Sequence, residues 1–102
     1  MKILTLSFDD GTVQDRRFVP MLNERGIKAT FNLNSGLFGT VHDINHEGII
    51  VCHDEILPDE VRALYPGHEV AVHTVTHPNL LTCDDARVLH EVGDDKRALE
   101  AL

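Results

Sequence analysis

Twice in this chain a short apolar run stops at a polar, turn-forming cluster, and this repeated device constrains the fold more than any other feature of the sequence. Lys2 to Phe8 ends at Asp9-Asp10-Gly11, and Glu69 to Thr74 leads into His73-Thr74-Val75-Thr76-His77-Pro78. Short runs rich in apolar and hydroxyl residues read as buried strands, and the clusters as the loops beyond their C-terminal ends. A third run, Ile27 to Leu33, alternates in a way that a covered sheet tolerates and stops at Asn34-Ser35-Gly36.

The segments between these strands carry helical signals. A helix is expected between Val13 and Arg25, with Phe18, Met21 and Leu22 inward, Pro20 opening or kinking its regular part, and Gly26 as a left-handed cap. Leu37 to Asp54 is looser, with Ile49-Ile50-Val51 as one strand of an inserted hairpin. Pro58-Asp59-Glu60 opens a two-turn helix whose inner face is Val61, Leu64 and Tyr65, and Pro66-Gly67 stops it. Thr82 and Asp85 have the spacing of a capping box, and Leu89, Val92, Leu99 and Leu102 recur at helical period, so a last helix is expected to run to Leu102, with Gly93 as its weak point. Strand, helix, strand, hairpin, helix, strand, helix is the order of an α/β fold with parallel strands and right-handed crossovers, in one domain over residues 1–102.

Composition narrows the partners. The formal net charge of -8 is spread among apolar residues, which excludes a nucleic-acid groove, since that needs clustered basic residues. No apolar stretch approaches the roughly 20 residues of a membrane span. Met1-Lys2 leads directly into Ile3-Leu4, leaving no room for a signal peptide, so the chain as written reads as cytoplasmic. Cys52 and Cys83 lie far apart outside any paired motif and read as idle thiols.

Functional sites in parallel α/β folds form at C-terminal strand ends, where both polar clusters fall. Adjacent side chains at a strand end diverge, so one of Asp9 and Asp10 can ligate a metal while the other faces water. His73 and His77, four apart on a strand-to-loop turn, can converge with a carboxylate. Two imidazoles and one carboxylate suit Zn²⁺ and leave positions open for water and substrate. Each motif alone has an ordinary reading: Asp-Asp-Gly suits any turn, and paired histidines are often solvated or hydrogen-bonded. A separate structural zinc site from His42, His46, Cys52 and His53 is a competing possibility, although the spacing fits no regular finger.

Together, Ser7-Phe8-Asp9-Asp10-Gly11 and His73-Thr74-Val75-Thr76-His77-Pro78 resemble the first two motifs of the polysaccharide deacetylases with the NodB homology domain. Gly26-Ile27-Lys28-Ala29-Thr30-Phe31 is similar to that family's second strand, and Gly67-His68-Glu69-Val70-Ala71 to its lead into the histidine motif. The resemblance implies half of a NodB-type distorted (β/α) barrel, with Asp9 as general base and Asp10, His73 and His77 holding zinc or another divalent transition metal. Ser7 stands where the family has threonine and keeps the hydroxyl, whereas Thr12 stands where many relatives have proline. Thr74 matches the hydroxyl residue between the histidines.

The activity implied is hydrolysis of an N- or O-acetyl group on a carbohydrate, with Asp9 drawing a proton from the attacking water. The family's later motifs, which carry the base-orienting arginine, an oxyanion donor and the general acid, are not among these 102 residues. His90 lies within the last helix and is no substitute for that acid. The base- and metal-bearing half alone is therefore expected to be inactive or very weak, and its open barrel edges to be covered by a second copy or by a C-terminal half. The alternatives are a metal-dependent carbohydrate-binding or interaction module without catalysis, and a relative that hydrolyses a non-carbohydrate amide.

Overall fold

Three short parallel strands carry the structure, a computed structural model that describes residues 1–102: β1 (Ser7–Asp10), β2 (Thr30–Leu33) and β5 (Glu69–Val72), in the spatial order β1-β2-β5. Asp9 stands opposite Asn32 and Asp10 opposite Leu33, which in turn faces Val72. Each strand is shorter than its apolar run. The first begins at Ser7 rather than Lys2, and Ile3 and Leu4 are exposed, because β2 offers them no partner: its ladder starts where Thr30 N–H bonds to Leu6 O at 2.9 Å. The strand therefore runs through both aspartates instead of ending before them. In β2, Ile27 is consumed in stopping the preceding helix, its N–H bonding to Leu22 O at 3.0 Å while Gly26, at φ 64°, bonds to Asn23 O.

Helix α1 (Asp15–Glu24) buries Val19 and Leu22 and sets Phe18 edge-on against Phe8 at 4.7 Å. Met21, expected inside, is 42% exposed, since a rotation of about 100° per residue carries it off the stripe defined by Val19 and Leu22. The helix begins five residues ahead of Pro20 and runs through it.

The expected hairpin is present as β3 (Asp43–His46) and β4 (Ile49–Cys52), antiparallel and closed by Glu47-Gly48, both at positive φ as such a two-residue turn requires. Its return stem runs against the loop leaving β1. Val13 N–H bonds to Asp54 O at 2.8 Å, Ile56 N–H to Gly11 O at 3.0 Å, and Thr12 bridges Glu55. Pro58–Glu60 forms a tight turn leading into α2 (Val61–Leu64), with Glu60 accepting from Leu57 N–H and pairing with Arg16 at 2.7 Å.

Helix α3 (Asp85–Glu100) differs from its expected form at both its cap and its inner face. Asp84 caps it by accepting Arg87 N–H at 2.8 Å, whereas the Thr82 hydroxyl is spent on Asn79 O in the preceding turn. Leu89 is 73% exposed, and the fully buried residues are Glu91 and Asp95, followed four residues on by the partly buried Leu99 and three further by Leu102. The core lies between the sheet, α1 and α2, around Val19, Phe31, Leu33, Ile56 and Tyr65, with Phe31 and Tyr65 rings 4.7 Å apart. The Tyr65 hydroxyl donates to the buried Asp15 carboxylate at 2.6 Å. No helix is long and apolar enough to cross a membrane. The architecture is thus the mixed α/β, parallel-strand arrangement of part of a distorted barrel, with β1 and β5 as its open edges.

Candidate metal centre

At the C-terminal rim of the sheet, Asp10 from the end of β1 meets His73 and His77 from the loop after β5. Asp10 Oδ1 lies 3.4 Å from His73 Nε2 and 3.5 Å from His77 Nε2, and one donor atom from each of the three residues falls within 4.8 Å of the others. Asp10 Oδ1 is buried without a hydrogen-bond partner. A buried carboxylate oxygen that faces two imidazole nitrogens without a hydrogen-bond partner is a group that a bound cation would satisfy. The spacing fits as well: donors held about 2.0–2.1 Å from one tetrahedral ion lie roughly 3.4 Å apart. The residues therefore suit a divalent transition metal.

Backbone geometry at the rim is unusual in the same two segments. Asp10, Thr74 and His77 adopt left-handed conformations with φ of 78°, 74° and 55°. Such residues each cost on the order of 1–3 kcal/mol, and they persist where the surroundings enforce them. The enforcing contacts are explicit. Thr74 Oγ1 accepts His77 N–H at 3.1 Å, and the buried Asn34 amide donates to the carbonyls of His73 and Thr74. Gly36 N–H bonds to Val75 O at 2.9 Å, an approach so close that a Cβ on Gly36 would lie 2.6 Å from that oxygen. Gly11, at φ 70°, gives the aspartate turn its reversal, and a Cβ there would press on Leu33 at 2.7 Å.

Helix α3 holds the histidine loop from below. Asp95 accepts Ser35 N–H at 2.7 Å and His73 N–H at 2.9 Å, joining the ends of β2 and β5 through one carboxylate. Glu91 accepts Thr76 N–H at 2.8 Å, the Thr76 hydroxyl at 2.7 Å and Arg87 Nε at 2.8 Å. Burial pushes the Glu91 carboxyl upward, but the Thr76 bonds and the Arg87 charge outweigh it and hold the group below the ordinary carboxylate range.

Asp9 stands beside the three donors. Its Oδ1 accepts from Asn32 Nδ2 at 2.7 Å, the same amide donates to Ser7 Oγ at 2.8 Å, and its Oδ2 lies 3.9 Å from His73 Nε2. Beyond Asp10, a cavity of about 350 Å³ opens between the rim and the hairpin stem, lined among others by His77, His42, His53 and Glu55. Glu55 is 4% exposed, with Oε2 unpartnered; burial first, and the Asp10 charge second, raise its pKa from 4.5 to about 7.

The four residues of the competing zinc reading do not converge. The antiparallel ladder puts His46 opposite Ile49 at the turn and Cys52 opposite Asp43 at the stem, so these two lie at opposite ends of the hairpin. His42 and His53 do pack together, with ring centroids 5.0 Å apart, but His53 Nε2 turns to Asp10 Oδ2 at 3.2 Å. His90 is paired with Asp94 on the exposed side of α3, away from the centre. Cys52 and Cys83 are free thiols.

Sequence reasoning did not reach Asn32, Glu55, Glu91 or Asp95, and it placed Asn34 only at the end of a strand and His53 only in the competing zinc site. Parallel pairing of Asp9 with Asn32, and two acids four apart on the apolar side of a helix, are the signals that point to Asn32, Glu91 and Asp95. For His53 and Glu55 no local pattern exists, since the hairpin alone determines where they fall.

Comparison with known proteins supplies the family. The polysaccharide deacetylase family model matches residues 1–102. A chitin deacetylase of Pestalotiopsis sp is 28% identical over 98 residues, covering 95% of this chain and 29% of that protein. A chitooligosaccharide deacetylase of Rhizobium leguminosarum bv. trifolii is 32% identical over 97 residues, covering 92% of this chain and 38% of that protein. A probable peptidoglycan-N-acetylglucosamine deacetylase of Arthroderma benhamiae is 27% identical over 90 residues, 87% of this chain and 18% of that protein. The chain therefore spans 18–38% of the length of these relatives. No solved structure matches it significantly. With its two strand-end motifs meeting at one rim and the family match running from Met1 to Leu102, the chain belongs to the polysaccharide deacetylase family.

Proposed function

We propose that this chain is the metal- and base-bearing part of a hydrolase that removes acetyl groups from an acetylated carbohydrate, with Zn²⁺ held by Asp10, His73 and His77. The observation that carries the reading is the unpartnered Asp10 Oδ1 between two imidazole nitrogens at 3.4 and 3.5 Å. The names of the relatives, which act on chitin, chitooligosaccharide or peptidoglycan N-acetylglucosamine, point to an N-acetylated amino sugar as substrate.

A cation in this position supplies a Lewis acid that polarises an acyl carbonyl and makes water more acidic. Asp9 is the general base. Asn32 anchors one of its oxygens at 2.7 Å, which leaves the other free to take a proton from the attacking water. Asp9 and Asp10 divide the work because their nearest neighbours differ: Asp10 Oδ1 faces the two imidazoles at 3.4 and 3.5 Å, whereas Asp9 Oδ1 is held by the Asn32 amide at 2.7 Å. The left-handed turn at Asp10 and the Thr74 bond to His77 hold the donors in place before any ligand arrives, so little reorganisation remains for binding.

Acetate release from an N-acetylated chitooligosaccharide tests the reading, with the zinc-loaded protein compared with Asp9→Asn. The expected result is a slow wild-type rate that falls by about 10²- to 10⁴-fold in Asp9→Asn while zinc affinity is retained. Zinc binding with equal, background acetate release from both proteins, in a longer protein that also carries the family's later motifs, would favour a binding module over a hydrolase.

A further inference from the structure

We propose that His53 is a positioning residue for Asp10, its imidazole seated against Asp10 Oδ2 so that Oδ1 stays turned toward His73 and His77. The proposal rests on the reading of those three residues as the cation's ligands. The two oxygens of Asp10 have separate neighbours: Oδ1 lies 3.4 and 3.5 Å from the two imidazoles of the rim, and Oδ2 lies 3.2 Å from His53 Nε2. His53 stands outside the set whose donor atoms all lie within 4.8 Å of one another, and it meets Asp10 through the other carboxylate oxygen.

The main chain brings His53 there by a defined route. Residues 52 to 56 run against the loop that leaves Asp10, tied by Gln14 Nε2 to Cys52 O at 2.7 Å, Val13 N–H to Asp54 O at 2.8 Å and Ile56 N–H to Gly11 O at 3.0 Å. His53 N–H also bonds to His42 O at 2.9 Å, and the His42 ring packs on its own at 5.0 Å. The hairpin thus serves as a backing for the Asp-Asp-Gly turn. Asp10 needs one: it sits at φ 78° on the last residue of an edge strand, where little else restrains its side chain. A donor behind a ligating carboxylate fixes its rotamer and so which oxygen it offers the metal, and losing such a group costs about 10- to 100-fold in metal affinity.

The test is zinc titration by calorimetry, and Co²⁺ absorption in the visible, on the 102-residue chain and on His53→Leu, His53→Gln and His73→Ala. His53→Leu fills the space without a donor, whereas the His53→Gln amide can still donate. Positioning predicts that His53→Leu weakens zinc binding about 10- to 100-fold and His53→Gln restores it to within about threefold of wild type, the Co²⁺ spectrum being unchanged in both. His53→Leu binding as tightly as wild type, with His73→Ala still impaired, would overturn the role of His53 and leave the centre standing. Equal losses in His53→Leu and His53→Gln with an altered Co²⁺ spectrum would make His53 a ligand and equally overturn it. A wild-type chain indifferent to His73→Ala would remove the centre itself, and this proposal with it.

Discussion

The carboxylate of Asp95 accepts the backbone N–H of His73 at 2.9 Å, so the last helix fixes the first histidine of the centre through its main chain and not through its ring. The same carboxylate takes Ser35 N–H at 2.7 Å and is fully buried. Removing it strands two backbone donors at the ends of adjacent parallel strands. Asp95→Ala is expected to cost about 3 kcal/mol of stability, measured by urea unfolding, and to weaken zinc binding along with it. A loss within a few tenths of a kcal/mol would show that water or neighbouring groups can replace the carboxylate.

Gly36 lets the β2 loop and the histidine loop touch. Because a Cβ there would meet Val75 O at 2.6 Å, and a backbone oxygen has no rotamer to escape into, Gly36→Ala forces the two loops apart. The expected cost is about 1–3 kcal/mol in unfolding experiments, with a parallel drop in zinc affinity because Val75 lies between the two histidines proposed as ligands. Wild-type affinity in a destabilised Gly36→Ala protein would separate the two loops functionally.

Glu55 makes the metal-free protein less stable as pH rises. In the unfolded chain its carboxyl loses its proton near 4.5, whereas burial and the Asp10 charge keep the native group protonated up to about 7. Between those values the native state binds more protons, so this contribution is complete below about 4.5 and lost as pH climbs through about 7. A displacement of that size is worth roughly 3 kcal/mol. Asp10, His42, His53 and His77 line the same cavity, so the readout is the difference between the wild-type and Glu55→Gln curves. In chelator, Glu55→Gln is expected to flatten the fall in stability across this window, and parallel curves for the two proteins would contradict it.

The candidate donors are legible in the sequence because each lies where an apolar run ends. Asp9-Asp10-Gly11 and His73 to Pro78 end apolar runs, and parallel strands bring such ends to one rim whatever lies between them. The supporting residues are legible only in part. Leu89 and Val92 show the helical period of α3 but lie off its buried face, because Glu91 and Asp95 occupy that face to satisfy backbone groups of the histidine loop. The apolar pattern marks the helix and misleads about its orientation. Lys2 to Leu6 fails as a strand for a different reason: β2 starts at Thr30, and an apolar run without a partner has nothing to pair with. His53 depends on a contact between a hairpin and a turn 43 positions away in the chain, which no local periodicity encodes.

Anomalous diffraction at the zinc edge, from crystals of the zinc-loaded protein, tests the central claim most directly. The account predicts a single strong peak within bonding distance of Asp10 Oδ1, His73 Nε2 and His77 Nε2. A peak among His42, His46 and Cys52 instead, or none at the rim, would contradict it.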